Sequence, residues 1–357
     1  KWPLRNALLK SAGVKKTLNV RERSVTNPKS PKQSEFDIIE TYFKQLTRQK
    51  DVRLGIGDDA ALVDLSGHDS KHLVVATDTL VSGVHFPEDA TADLIAQRAL
   101  CVNLSDMAAM GAEPRWFTLA LTLPKENAHS DWLTKFSQGL ASIANKYNCA
   151  LIGGDTTAGP LVITLTLLGE VGANRALTRS GAKPGDSIYV TGMLGDGGAG
   201  LEMIRNIDSV QDMGERSRLA ERFYSPRPRI AEGLTLSTVA SACIDVSDGL
   251  IADLTHICVQ SGVDAQINSD KLPIHSRIKT NYPSRWLDWA LFAGDDYELI
   301  FTVPQYHLEQ VERWITEETV EAVKIGELTS WDGKSIRVKI DDMPVSAAKK
   351  GFDHFDC

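Results

Sequence analysis

Cysteine is scarce in this 357-residue sequence: the five cysteines stand far apart, and no C-x-x-C pair occurs among them. An odd number of scattered cysteines excludes a disulfide framework and a four-cysteine zinc site as the basis of the fold. No apolar run approaches the roughly 18 residues that a membrane-spanning helix needs, and the first residues show no secretory signal pattern. We therefore expect a protein of the reducing cytoplasm, without a membrane partner.

Negative charge outweighs positive charge after the first 34 residues. Residues 1–34 carry nine Lys and Arg against a single acid, Glu22, whereas the whole chain has a net charge of −8. We expect this basic head, which is punctuated by Ser, Pro and Asn, to be a flexible extension; the alternative is a nucleic-acid-binding arm. The acidic remainder argues against nucleic acid as the main partner.

The composition, 42% hydrophobic and 24% charged, is that of a globular protein long enough for two domains. Helical spacing of apolar residues predicts helices in "EFDIIETYFKQL", "TADLIAQRALCVNLSDMAAMG" and "DWLTKFSQGLASIANKYN". Strands are predicted in "VRLGIGDDAALVDL", "KHLVVATDTLV", "WFTLALTLP", "CALIGGDTT" and "LVITLTLLGEV". This order predicts an α/β domain with mixed sheets over 35–172. The turn-rich "RSGAKPGD" marks a seam, and a second α/β domain is expected over 173–357.

The second domain opens with a strand, "SIYVTG", which runs into the Gly-rich "GMLGDGGAG" and a helix. Such a turn can bind phosphate through its backbone N–H groups. It matches neither the P-loop pattern nor a dinucleotide-binding fingerprint. The sequence leaves tight helix–strand packing and ligand contact equally open here.

Six short segments share one pattern, an aspartate beside Gly, Ser or Thr near the end of an apolar run: "GIGDDAAL", "VATDTLV", "NLSDMAAMGAEP", "IGGDTTAGP", "IDVSDGL" and "FAGDDYEL". Strand ends are where α/β sheets bind ligands, and aspartates that converge there without Lys or Arg repel one another. A hard divalent cation such as Mg²⁺ or Mn²⁺ resolves that conflict, because carboxylate and hydroxyl oxygens are its preferred ligands. Since neighbouring strand residues point to opposite faces, one aspartate of each adjacent pair should face the site unless the backbone turns there.

Together with "DTLVSGVHF", "RSGAKPGD" and "DDYEL", these segments resemble the thiamine-monophosphate kinase family, in order from about residue 35 to residue 355. That family belongs to a superfamily with aminoimidazole ribonucleotide synthetase and selenophosphate synthetase. The resemblance implies a homodimer of two-lobed α/β subunits with the active site in the cleft between the lobes. It also implies direct transfer of the γ-phosphoryl group of ATP to thiamine monophosphate, with several Mg²⁺ ions, no covalent intermediate and no general base.

The resemblance further implies site residues at matching positions. The implied metal ligands are Asp59, Thr77, Asp78, Asp106, Asp155, Asp245 and, as a possible further one, Asp248. The implied ATP contacts are Gly154, Asp155, Arg179 and Ser247, and the implied substrate contacts are His85, Asp295 and Phe352. Taken without the resemblance, Arg179 could be an ordinary exposed arginine and Phe352 a core residue under the tail.

Two positions depart from the family pattern. Asp295 replaces a more usual glutamate, which puts a direct substrate contact there in doubt, and Ala76 replaces a metal-contacting Ser or Thr. Other functions remain open at this point. Aminoimidazole ribonucleotide synthetase is the nearest alternative. Selenophosphate synthetase is disfavoured, because this sequence has no cysteine in the N-terminal Gly-rich region where that family needs one. A non-catalytic Mg–nucleotide-binding regulator is an alternative from another class.

Overall fold

The computed structural model describes residues 52–64, 70–206, 212–334 and 337–345. The basic head, the helix predicted in "EFDIIETYFKQL" and Phe352 lie outside these residues. The described chain forms two lobes, each built on one sheet, so the predicted mixed α/β fold is confirmed. No helix among the described residues has both the length and the apolar character needed to cross a bilayer.

The first lobe contains a six-stranded sheet and two long helices. The sheet has the order β1-β2-β3-β6-β4-β5 and is antiparallel except between β4 and β5. Its elements are β1 Val52–Leu54, β2 Ala61–Asp64, β3 Lys71–Val81, α1 Ala92–Ala109, β4 Glu113–Leu123, α2 Ser130–Lys146, β5 Ala150–Ala158 and β6 Val162–Gly172.

The second lobe contains a seven-stranded sheet of order β13-β12-β9-β11-β7-β10-β8. Its strands are β7 Ser187–Thr191, β8 Ala242–Asp245, β9 Val263–Ile267, β10 Leu299–Val303, β11 Ala322–Ser330, β12 Val338–Ile340 and β13 Met343–Pro344. Its helices are α3 Asp196–Arg205, α4 Met213–Tyr224, α5 Ile230–Leu236, α6 Leu250–Ser261, α7 Ser276–Asn281, α8 Trp286–Phe292 and α9 Leu308–Thr316.

Helix α1 is the centre of the molecule, because 14 of its 18 residues are buried. A helix that is apolar nearly all round belongs in a core, and α1 packs against β3, β6, α2 and, from the second lobe, α5. The approach of α5 is so close that a Cβ on Gly233 would lie 2.1 Å from the carbonyl oxygen of Ala108. The two lobes therefore meet on one shared helix.

The stretch predicted as a single strand, "VRLGIGDDAALVDL", is instead a hairpin. Strands β1 and β2 pair antiparallel, with Val52 opposite Val63. Gly57, whose φ is +135°, lies in the turn between them, and this region of backbone conformation is open mainly to glycine. The hairpin places Asp58 and Asp59 at its tip rather than along a strand.

Candidate active site

A cavity of about 620 Å³ lies between the two lobes and is lined by residues of both. Ten of the predicted site residues line it: Asp59, Thr77, Asp78, His85, Asp106, Arg179, Asp245, Ser247, Asp248 and Asp295. Gly154 and Asp155 are not among its lining residues. Most of the segments that were grouped by their aspartates thus meet in one cleft.

Three carboxylates form the centre of the site. One oxygen from each of Asp59, Asp106 and Asp245 lies within 4.8 Å of the other two. They come from the hairpin tip, from α1 and from the end of β8. Burial raises the pKa of Asp106 well above its usual range, and the charges of Asp78 and Asp245 raise it further. Burial also raises the pKa of Asp245 to about 8, although a 2.7 Å hydrogen bond from the Ser105 hydroxyl opposes the shift.

Arg179 is the cation that contacts this carboxylate cluster. Its Nη2 donates to Oδ1 of Asp59 at 2.7 Å, and its backbone N–H donates to Oδ1 of Asp58 at 2.6 Å. Both aspartates of the pair therefore face the cleft, which the strand alternation alone did not predict, because the backbone turns at this hairpin tip. The second oxygen of Asp59, Oδ2, is buried and has no hydrogen-bond partner.

The donor set fits a hard divalent cation. It offers carboxylate oxygens at short mutual distance, one of them buried without a partner. Arg179 forms an ion pair with Asp59, one of the three clustered carboxylates, so carboxylates outnumber the arginine there. Oxygen donors without a neighbouring thiolate suit Mg²⁺ or Mn²⁺.

Strand β3 presents Thr77 and Asp78 to different surroundings, as the pleat requires. Asp78 lies opposite Leu165, a fully buried residue on the face packed against α1, and its backbone N–H donates to Asn103 of α1. Thr77 lies opposite Thr166, and its hydroxyl donates to the Thr166 hydroxyl at 3.0 Å.

His85 is held in a tight turn after β3. Its backbone N–H donates to the Val81 carbonyl at 2.9 Å, and its ring Nδ1 accepts the Val81 backbone N–H at 2.9 Å. Because Nδ1 acts as an acceptor, the proton of the neutral ring is on Nε2. The cavity is therefore lined by a histidine in a defined tautomer.

The pair Asp295 and Asp296 divides as the sequence predicted, one into the cavity and one away from it. Asp295 lines the cavity, whereas Asp296 is buried and accepts the backbone N–H groups of Gly195 and Gly197 at 2.7 and 2.9 Å. Burial raises the pKa of Asp296 to about 8, although both amide bonds oppose the shift. The two amides of the Gly-rich turn are thus bound by a protein carboxylate, which favours the packing interpretation of this turn.

Gly154 and Asp155 lie on β5, the edge strand, all nine residues of which are exposed. The sheet order separates β5 from β3 by three strand spacings, roughly 14 Å. Asp155 also lies opposite Ala120, in the row of residues that faces away from α1. The structure does not bring these two residues to the cavity of their own chain.

One cavity residue that the sequence analysis missed is Arg98 of α1. Its side chain is 3% exposed, and its guanidinium donates to Asp295 Oδ1 at 2.6 Å. The signal was present in helical spacing, because Arg98, Val102 and Asp106 are successive i, i+4 neighbours and all line the cavity. A lone arginine in an otherwise apolar helix marks a position where a charge must find a partner.

Comparison with known proteins agrees with this fold. The family described as "AIR synthase related protein, N-terminal domain" matches residues 57–171, and the corresponding C-terminal domain matches residues 183–339. The thiamine-monophosphate kinase of Salmonella typhimurium is 45% identical over 90% of this chain and 98% of that protein.

Two solved structures are similar along nearly their whole length. Thiamine-monophosphate kinase from Stenotrophomonas maltophilia is 40% identical with a TM-score of 0.72, over 87% of this chain and 98% of that one. AaThiL complexed with AMPPCP and TMP is 33% identical with a TM-score of 0.78, over 90% of this chain and 97% of that one. The two-lobed fold with its interlobe cleft defines an AIR synthase related protein. Within that class, the chain belongs to the thiamine-monophosphate kinase family.

Proposed function

We infer that this chain catalyses the ATP-dependent phosphorylation of thiamine monophosphate. A phosphate oxygen of thiamine monophosphate attacks the γ-phosphorus of ATP, the bond to the β,γ-bridging oxygen breaks, and thiamine diphosphate and ADP are formed. The observation that carries this conclusion is the interlobe cavity, where the aspartates of all the family motifs except Asp155 meet. The chain is also 45% identical to a thiamine-monophosphate kinase over 98% of that protein's length.

The reaction needs no general base from the protein. A phosphate monoester has its second pKa near 6, so the attacking oxygen is already mostly deprotonated at about pH 7. What the protein must supply is positioning and charge neutralisation, because two polyanions have to meet in line. Arg179, whose guanidinium lies on the acidic cluster, is suited to the second task.

We propose that the carboxylate cluster holds Mg²⁺. Asp59, Asp106 and Asp245 would be its central ligands, and the buried, unpartnered Oδ2 of Asp59 supports this assignment. When bound, Mg²⁺ neutralises and aligns polyphosphate oxygens. The remaining proposed ligands are Thr77, Asp78, Asp155 and Asp248.

The two substrates are proposed to occupy different ends of the cavity. Arg179 and Ser247 would contact the nucleotide, together with Gly154 and Asp155, and His85 would contact the thiamine phosphate. An apolar part of the wall suits the thiamine rings; it is formed by Leu80, Val84, Val102, Leu201 and Ala293. Phe352 stays a prediction for ring stacking.

Phosphorus NMR of the protein with ATP, Mg²⁺ and thiamine monophosphate tests the reaction. We expect thiamine diphosphate and ADP to appear only when all components are present. Samples that lack one component in turn serve as controls. ATP that stays intact in the complete mixture would contradict the proposed function.

The proposal extends to a homodimer in which a second copy covers β5 and supplies Asp155 and Gly154 to the partner's cavity. Three features of β5 support it: all of its residues are exposed, Leu151 and Ile152 are 50% and 59% exposed, and its outer edge is unpaired within the described sheet. Edge strands usually carry Lys, Pro or a bulge against unwanted pairing. "ALIGGDTTA" contains neither Lys nor Pro, and its one register shift lies at Ile152, before Gly154 and Asp155.

Mixed dimers of Asp106→Asn and Asp155→Asn chains test this arrangement. If Asp155 serves the partner's cavity, half of the cavities in each mixed dimer contain no substitution, and random mixing should restore about a quarter of wild-type activity. If Asp155 serves its own chain, every cavity contains one defect and mixing restores nothing. Sedimentation of the wild-type chain as a monomer would contradict the dimer itself.

We also propose that the protein works in the cytoplasm. The support is the state of its cysteines, since Cys101, Cys149, Cys243 and Cys258 are buried and free. Free thiols of this kind are typical of a reducing compartment.

A further inference from the structure

Arg98 is a buried cation at the floor of the cavity. Its side chain is 3% exposed, and it projects from α1 one turn before Val102 and two turns before Asp106. Burying a guanidinium is costly unless it is paired and its donors are satisfied. The groups that pair with this buried charge therefore indicate its role.

Its three nitrogens donate to three separate segments of the chain. Nη2 donates to Asp295 Oδ1 at 2.6 Å, Nε donates to the His85 carbonyl at 2.9 Å, and Nη1 donates to the Phe223 carbonyl at 2.7 Å. The guanidinium also stacks on the Phe223 ring at 4.0 Å. One side chain thus joins the His85 turn of the first lobe to two segments of the second lobe.

The contact at His85 completes the fixation of that residue. Its backbone N–H and ring Nδ1 are already bound to Val81, and Arg98 takes its carbonyl oxygen. Only a planar guanidinium can reach this carbonyl and the Asp295 carboxylate with separate nitrogens, since an ammonium presents a single point of charge.

Asp295 is bound inward by the same arginine. Its Oδ1 accepts from Arg98 and from the Tyr297 hydroxyl, the latter at 3.0 Å. Its φ is +59° and that of Tyr297 is +51°, and such strained conformations persist only where the surroundings enforce them. The backbone N–H of Asp295 donates to the Ser247 carbonyl at 2.9 Å, and this backbone bond does not depend on the Arg98 side chain.

We propose that Arg98 is a positioning residue for the thiamine-phosphate end of the cavity, and that Asp295 acts through Arg98 rather than on the substrate directly. This inference rests on the proposed function. Arg98 holds the His85 turn in place and neutralises Asp295, so that no unpaired carboxylate faces the incoming phosphate. The shorter side chain at position 295, where the family usually has glutamate, is consistent with a carboxylate that pairs inward.

Binding measurements on four chains test the proposal: wild type, Arg98→Met, Asp295→Asn and the double variant. Calorimetry in Mg²⁺ buffer gives the Kd of thiamine monophosphate without ATP and the Kd of a non-hydrolysable ATP analogue. We expect Arg98→Met to weaken the binding of thiamine monophosphate, with a Kd higher on the order of tenfold or more. The Kd of the ATP analogue should change by less than about threefold, because the Arg98 side chain makes no hydrogen bond with the described nucleotide-side residues Arg179 and Ser247.

The double variant measures whether the two residues act together. Asp295→Asn in the Arg98→Met chain removes the unpaired carboxylate, so it should restore part of the lost affinity. Arg98→Lys keeps the charge but cannot make all three hydrogen bonds of the guanidinium, so it should also weaken the binding of thiamine monophosphate. Arg115→Met, which removes a surface arginine paired with Glu113, is the matched control and should leave both affinities unchanged.

Equal weakening of both ligands would overturn the proposal in favour of a purely structural role, and so would unchanged affinity for thiamine monophosphate in Arg98→Met. If Arg98→Met does not fold, Arg98→Lys and Asp295→Asn are compared in the same way, by whether the Kd of thiamine monophosphate rises more than that of the ATP analogue. Wild-type turnover is measured first. A wild-type chain that makes no thiamine diphosphate overturns the proposed function. If the wild type is active but Arg98→Met weakens the binding of both ligands equally, only this inference is overturned.

Discussion

The two faces of the first-lobe sheet place their polar side chains in different surroundings, one packed against a helix and the other exposed. The face packed against α1, here called the covered face, carries Asp78 opposite the fully buried Leu165. The opposite face, here called the open face, carries hydroxyl pairs such as Thr79 with Thr164, 2.9 Å apart and exposed. On the covered face a carboxylate loses its hydration and depends on a cation, whereas on the open face water or a second chain can satisfy it.

The largest effect should follow from neutralising an aspartate at the covered face. Asp106→Asn removes a proposed metal ligand, and we expect turnover to fall by about three orders of magnitude. The melting temperature in metal-free buffer should stay the same or rise, because burial and like charges already disfavour the ionised form of Asp106. Glu126→Gln, a neutralisation of an exposed carboxylate, is the control. Near-normal Mg²⁺-dependent rates in Asp106→Asn would contradict the metal assignment.

The stability gain of Asp106→Asn should depend on pH. A carboxyl group with a raised pKa in the folded state costs stability as pH rises from its unfolded pKa through its folded one. The pKa of Asp106 is raised well above its usual range, so the variant's advantage in metal-free buffer should begin to grow above the unfolded pKa, about 4, and should level off once the pH has passed the folded pKa. Thermal unfolding at several pH values measures it, and a constant difference would contradict this account.

The sequence was sufficient to predict the components of the carboxylate cluster. The segments of Asp59, Asp106 and Asp245 were grouped because an aspartate followed or flanked an apolar run without a neighbouring cation. The resemblance to the family then singled out these three positions, and the structure brings them together. Only one of Asp295 and Asp296 lines the cavity, as predicted, but strand alternation is not the reason, because both lie in the loop before β10 and Asp295 has a φ of +59°. The chemistry of oxygen ligands is a property of short segments, which a sequence displays directly.

The position of Asp155 could not be predicted in the same way, because it depends on sheet order. Nothing local to "IGGDTTAGP" states that its strand is the outermost of six. The hairpin at Asp58 and Asp59 was missed for a related reason, since a Gly-containing apolar run fits a strand until a partner for each half is known. Arg98 shares a helix face with Asp106 by its spacing, but that spacing does not reveal the three acceptors that only the fold brings to the arginine.

The next largest effect should come from substituting Gly154 on the edge strand. Comparison with its neighbour Gly153 distinguishes a structural role of Gly154 from a role in ligand binding. Gly154 has φ +150°, and a Cβ there would lie 1.9 Å from the Leu119 carbonyl oxygen. We expect Gly154→Ala to lower the free energy of unfolding by about 3 kcal/mol. Gly153, where a Cβ would meet no atom within 4 Å, is the matched control. Equal denaturation midpoints for the two variants would leave ligand contact as the remaining explanation for Gly154.

The exposed edge itself can be tested with a charge. Ile152 is 59% exposed on β5, so Ile152→Lys should leave the fold of one chain intact and disrupt pairing with a second copy. We expect sedimentation to show a monomer and turnover to fall with it. Val259→Lys on α6, where the side chain is 56% exposed, is the control. A stable, active dimer in Ile152→Lys would place the interface elsewhere.

The smallest effect should come from the open face. Thr164→Val removes the hydroxyl partner of Thr79, and because the pair is exposed, we expect a loss of only about 0.5 kcal/mol in unfolding free energy. Turnover should change by less than about twofold, because Thr164 itself does not line the cavity, although its partner Thr79 does. Chemical denaturation and steady-state rates measure both. A loss of several kcal/mol at high protein concentration but not at low concentration would mean that the open face is buried in the dimer, so that hydroxyls exposed in one chain are desolvated in two.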